Sequence, residues 1–184
     1  MPRHYYYFAA SLPNLVFEAE PPISLEEFIS EARRHLTASD FCAVRRCVEE
    51  GAGSGQGAAR KWQVFEDRLR NEWAAARAPK KGLHASDVLR GERALDPVVT
   101  EVVAEALDEE NPLKAQRMID RLCWSFLDEL EAGHLFDADR LVVYGLKLKI
   151  LERYQAVRSP RGGERLEALV KSDILEETLG RIRG

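Results

Sequence analysis

The stretch NPLKAQRMIDRLCWSFLDELEAGHLFDADRLVVYGLKLKILERY, residues 111–154, decides the fold. Asn111-Pro112 is a helix start: the Asn side chain caps the first turn, and Pro112 takes the first helical position, where no N–H is needed. Leu113, Ile119, Leu122, Cys123, Phe126, Leu127 and Leu130 then fall on one face over roughly 30 Å of helix. Gly133 is placed to end that helix in the left-handed conformation. His134–Phe136 make a tight corner, and Asp137 or Asp139 caps a second helix. This second helix runs through Leu141-Val142-Val143-Tyr144-Gly145-Leu146-Lys147-Leu148-Lys149-Ile150-Leu151. Being apolar almost all round, it belongs at the centre with neighbours on several sides. Gly145 in its middle costs about 1 kcal/mol against Ala, so a neighbouring helix is expected to approach closely there.

Working outward from this hairpin, more helix signals appear on both sides. Asp96-Pro97 repeats the cap-plus-proline device, followed by the stripe Val98, Val99, Val102, Val103, Ala106 and Leu107. That helix closes in Asp108-Glu109-Glu110, three acids at the wrong end of the macrodipole, which favours a solvated terminus. Ser24-Leu25-Glu26-Glu27 is a capping box, and Leu25, Phe28, Ile29, Ala32 and Leu36 follow at helical spacing. Thr37–Asp40 starts another helix, with Phe41, Val44 and Val48 inward and Gly51 at its end. Trp62, Phe65, Leu69, Trp73 and Ala76 line a further helix that stops before Pro79. A last helix is expected beyond Gly163, with Leu166, Leu169, Val170, Ile174, Leu175, Leu179 and Ile182 on its apolar face. Residues 4–10 have no helix start signal and are rich in aromatics, so they are read as a short strand or docked extended segment.

The expected fold is therefore predominantly all-α, with helical hairpins packed as an irregular bundle and a short extended N-terminal segment. The 184 residues fit a single helical domain, with lobes 1–50 and 96–184 joined by the variable region 51–95. A chain of this size can bury enough surface to fold without disulfides or metal. Its 45% hydrophobic and 32% charged residues are those of an ordinary globular protein. A formal net charge of −4 makes no overall case for nucleic acid or an anionic membrane. Residues 97–139 carry eleven acids and three bases, whereas 140–184 carry ten bases and six acids. The two segments are set either to attract each other or to offer opposite charges to partners.

Three cysteines, Cys42, Cys47 and Cys123, are too few and oddly numbered for a disulfide framework, and fit a reducing compartment. They are read as small buried apolar residues. The opening run Tyr5-Tyr6-Tyr7-Phe8-Ala9-Ala10 is a poor export core and is broken by Pro13. No stretch approaches the roughly 18 apolar residues needed to span a bilayer. A cytoplasmic protein without direct membrane insertion is expected.

Few residues suggest chemistry. Glu131, His134, Asp137 and Asp139 gather carboxylates and an imidazole at one corner, a donor set that can hold a divalent ion. The simpler reading makes the aspartates caps, and no H-E-x-x-H pair is present. His84 and Asp87 flank the start of a short helix, where Asp87 is again read as a cap. The glycine-rich run 51–57 has neither P-loop nor dinucleotide-fold spacing. The region 58–93 has nine bases and five acids, and Arg60, Lys61, Arg68, Lys80 and Lys81 are the candidates for a nucleic-acid surface. Because the bases are scattered around the helix, nucleic acid is not the expected partner. No catalytic residue, cofactor site or metal site is assigned, with His134, Asp137 and Asp139 as the alternative metal-dependent enzyme centre.

One resemblance adds to this. His4-Tyr-Tyr-Tyr-Phe-Ala-Ala-Ser-Leu-Pro13 and Pro21-Pro-Ile-Ser-Leu-Glu-Glu-Phe28 resemble a bacterial family of unknown function whose members begin with a tyrosine-rich stretch ending Ala-Ser-Leu-Pro. The same pattern returns in Glu110-Asn-Pro-Leu113, in Phe126-Leu-Asp-Glu-Leu-Glu-Ala-Gly-His134 and in Leu146-Lys-Leu-Lys-Ile-Leu-Glu-Arg-Tyr154. Genes of that family lie among those for V-type ATPase subunits, and the hairpins are distantly similar to the C-type subunit that seats the central stalk on the membrane ring. The chain is about half that subunit's size. The resemblance implies a non-catalytic structural or assembly component of a V/A-type ATPase, peripheral to the membrane, with ATPase subunits as partners. It leaves the oligomeric state open.

Overall fold

A computed structural model describes residues 5–51, 57–79, 82–89 and 96–158. Seven α-helices make up most of these residues: α1 (Tyr6–Ser11), α2 (Leu25–His35), α3 (Ala38–Arg45), α4 (Ala58–Arg77), α5 (Pro97–Asp108), α6 (Pro112–Glu131) and α7 (Ala138–Arg158). A π-helical turn, Arg46–Glu50, continues α3, and a short 3₁₀ turn spans Ala85–Asp87. No strand occurs among the described residues. The helix expected beyond Gly163, with Leu166 to Ile182, lies outside the described residues, as do positions 52–56 of the glycine-rich run.

The start signals act as their chemistry requires. Ser24 and Glu27 form the full capping box, with Ser24 Oγ accepting from the Glu27 N–H at 3.1 Å and Glu27 accepting from the Ser24 N–H at 2.8 Å. Thr37 accepts from the Asp40 N–H, Asp96 from Val98 and Val99, and Asn111 from Leu113 and Lys114. Gly51 closes the π turn at φ +65°, and Gly133 follows α6 at φ +88°. The π turn was not foreseen. It holds Cys47 and Val48, both buried.

Helix α7 is the centre of the bundle. Residues Leu141–Leu148, Ile150 and Leu151 are buried, and α2, α3, α4, α6 and the π turn all pack on it. Gly145 makes this possible. A Cβ there would lie 2.7 Å from Val48 Cγ2 and 2.9 Å from Phe28 Cε1, closer than packed atoms can stand. The expected close approach is thus the contact of α7 with α2 and the π turn. One apolar cluster joins Phe8, Phe28, Val44, Trp62, Phe65, Val103, Leu127 and Leu148.

The N-terminal segment departs from the expectation. Instead of an extended stretch or strand, Tyr6–Ser11 is a turn and a half of helix. Phe8 is buried, its ring 6.0 Å from Phe28 and 5.1 Å from His35 between centroids. Tyr5 donates its N–H to the Phe136 carbonyl and its hydroxyl to Asp40. An extended segment on an all-helical body has no neighbouring strand to pair with, so its N–H and C=O groups would be stranded. A helical turn pairs them internally, while the aromatic rings still pack.

Candidate functional site

The corner between α6 and α7 brings the sequence candidates together. His134 Nδ1 lies 2.6 Å from Asp137 Oδ2 and 3.9 Å from Asp139 Oδ2. Asp137 is the cap of α7: its other oxygen accepts from the Arg140 N–H at 3.0 Å. Partial burial raises the Asp137 pKa, but the bonds from His134 and from the Arg140 N–H outweigh it, and the carboxyl sits below its ordinary value. Glu131 is held by Arg140 and Lys147.

Asp139 does something the sequence did not indicate. It accepts from the Ala58 N–H at 3.0 Å, across 81 positions of chain. Ala58 is the first residue of α4, whose cap position, Gly57, has no side chain to offer. Asp139 therefore caps α4 from the first turn of α7, where its negative charge also suits the dipole of its own helix. Gly57 is fixed by the same contact. It has φ +71° and ψ −144°, and a Cβ there would come within 2.3 Å of the Asp139 carboxylate.

The same use of polar groups recurs along α7. Glu152 accepts from the Leu25 N–H at 2.6 Å and so serves the start of α2. Lys149 donates to the Val48 carbonyl in the π turn at 2.6 Å. Lys147, buried, donates to Asp128 at 2.5 Å and to Glu131. Burial lowers the Lys147 pKa, and the Asp128 carboxylate partly offsets that. Arg153 pairs with Asp120, a carboxylate only 1% exposed on α6, which also accepts from Gln116 at 2.8 Å. Burial raises the Asp120 pKa against the pull of Arg153. The basic α7 thus meets α6 through Asp120, Asp128 and Glu131, one of the two arrangements that the charge division suggested.

The remaining candidates are dispersed. No group of three or more His, Cys, Asp and Glu side chains among the described residues is arranged to hold a metal ion. At the corner, the two aspartates are turned to helix N–H groups and to His134. The Asp87 N–H reaches the His84 carbonyl at 3.1 Å, and the Ser86 hydroxyl reaches the Asp87 side chain. Arg60 and Lys61 are exposed at the start of α4, and Arg68 lies 3.9 Å from Asp96. Lys80 and Lys81 lie outside the described residues. Trp62 and Phe65, buried, stack toward Phe126 in the core and present no platform for bases. Cys47 and Cys123 are buried, their thiols pushed up by burial to about 11 and about 12. Cys42 is exposed, against expectation, because its place on α3 faces away from the stripe of Phe41, Val44 and Val48.

Two surfaces were missed in the sequence. One is at the corner: Leu135 is 70% exposed there and Tyr6, 53% exposed, has its ring 4.7 Å from that of Phe136, while the next residue, Tyr7, is 92% exposed. The other is a cavity of about 200 Å³ at the opposite end of the hairpin, walled by Leu113, Lys114, Gln116, Arg117, Asp120, Arg153 and Tyr154. The tyrosine-rich opening hinted at the first; nothing local hinted at the second, because its walls come from residues some 40 positions apart. No helix among the described residues is long and apolar enough to cross a membrane.

Residues 99–177 match the model of a family described as a protein of unknown function (DUF2764), less than half of the chain. No curated protein and no solved structure matches the chain.

Proposed function

We propose that this chain is a non-catalytic helical scaffold that docks onto other proteins, and that those proteins are subunits of a V/A-type ATPase. The observation that carries the docking reading is the exposure of three large side chains, Leu135 in the hairpin corner, Tyr6 with its ring on Phe136, and Tyr7 beside it in the sequence. Large aromatic and aliphatic side chains held in water on a rigid support are the makings of a protein contact. The support beneath them is stiff, since the corner is tied to α1 by the Tyr5–Phe136 bond and to α4 by Asp139. Little ordering entropy is then lost on binding. The ATPase as partner rests on the resemblance carried by the tyrosine-rich opening and by the blocks within α6 and α7. That opening is the segment that supplies the exposed Tyr6 and Tyr7.

Affinity capture from the native host, under gentle conditions, tests both parts. Recovery of V-type ATPase subunits with the native chain, and their loss with the double variant Tyr7→Ser, Leu135→Ser, is the expected result. Absence of every such subunit would end the ATPase reading. Retention by the double variant would move the docking face elsewhere.

A further inference from the structure

We propose that the open end of the α6–α7 hairpin binds a small monocarboxylate with a compact apolar body. This goes beyond the docking role and rests on different residues. The cavity there, about 200 Å³, is mostly carbon-walled and lies between the first turns of α6 and the last described turns of α7. Only Leu113 and Tyr154 are apolar among its walls, so the stems of the long polar side chains supply part of that carbon surface. A purely ionic ligand would leave this wall wetted to no advantage, whereas a ligand with a small hydrocarbon part covers it.

Three cations surround the carbon wall, and each has donors to spare. Lys114 has no side-chain partner among the described residues. Arg117 gives Nε and Nη2 to Glu18 at 2.5 and 2.7 Å, which fixes the guanidinium and leaves Nη1. Arg153 spends one Nη2 donor on Asp120 and is otherwise half exposed. A guanidinium already held by a carboxylate is positioned at no further entropic loss, and its remaining N–H groups match the geometry of a second carboxylate. Glu18 and Asp120 also set the charge limit. The buried Asp120, paired with Arg153, stands in the wall itself, so a second charge on the ligand would lie beside a carboxyl group rather than beside a free cation. One negative charge and a short apolar body satisfy both constraints.

Titration of the full chain with benzoate, benzyl alcohol and inorganic phosphate, followed by backbone amide shifts at Leu113, Lys114 and Tyr154, tests the proposal. Saturable shifts with benzoate are expected, with benzyl alcohol and phosphate at least about tenfold weaker, since one lacks the charge and the other the apolar body. Lys114→Gln, exposed and off the core, should weaken benzoate about tenfold with an unchanged melting curve, and Lys114→Arg should restore it. Lack of saturation with benzoate overturns the site. Equal binding of phosphate or benzyl alcohol overturns the ligand class, and undiminished benzoate binding by Lys114→Gln overturns the assigned contact.

Discussion

The two ends of the α6–α7 hairpin use the same kinds of side chain to opposite ends. At the corner, His134, Asp137, Asp139, Glu131 and Arg140 are all engaged with one another or with helix termini. At the open end, Lys114, Arg117 and Arg153 keep unused donors around a cavity. The corner looked more like a site in the sequence, because its residues are close neighbours there. It is the open end that retains groups able to meet a ligand. A cluster of titratable residues near in sequence is thus weak evidence for chemistry until the backbone N–H groups beside it have been accounted for.

The strongest way to break this contrast is at Gly57. Gly57→Ala forces a Cβ into the Asp139 carboxylate from a backbone conformation that only glycine adopts comfortably. A loss of about 3 kcal/mol or more is expected in urea unfolding, from strain together with the displaced cap. Gly82→Ala is the matched control. Its φ is +69° but nothing stands within 4 Å of the added atom, so about 1 kcal/mol is expected. Equal losses at the two glycines would mean that the Asp139 contact contributes nothing.

Glu66 on α4 offers a smaller effect, with a pH signature. One of its oxygens is buried without a hydrogen bond among the described residues, although Arg70 stands 3.7 Å away. Burial raises its pKa, against the opposing pull of Arg70 and Lys149. The folded state therefore holds the Glu66 proton more tightly than the unfolded one. Its contribution to stability is best at low pH and is lost as pH rises from the unfolded pKa, about 4.3, through the folded value. Glu66→Gln should gain about 1 kcal/mol at neutral pH, and the gain should vanish in acid below that window. A variant equally stable relative to the native chain at every pH would show that Glu66 is adequately solvated.

Much of the fold was legible because its signals are local. The capping box at Ser24–Glu27, the Asp96-Pro97 and Asn111-Pro112 starts, and the stops at Gly51 and Gly133 involve residues within one turn. Gly145 was legible for a related reason: a glycine inside a strongly apolar helix is unfavourable unless something packs against it. What the sequence hid was long-range or context-set. The Asp139–Ala58 cap and the Asp120–Arg153 pair join positions 81 and 33 residues apart. The expectation of a short strand or docked extended segment over residues 4–10 fails because aromatic richness is not specific to strands, and the described residues offer no strand to pair with. Of the candidate site, the position of His134, Asp137 and Asp139 was readable. The division of labour, with Asp137 serving α7 and Asp139 serving α4, was not.

Native-state hydrogen exchange at the Ala58 amide reads the Asp139 cap on α4 itself. This amide is expected to be protected in the native chain. In Asp139→Ala it should lose protection, with about 1 kcal/mol or more of stability lost in the same sample, while Lys114→Gln changes neither. An Ala58 amide that exchanges freely in the native chain, or Asp139→Ala leaving protection and stability untouched, would contradict the account and return the corner to the list of candidate reactive sites.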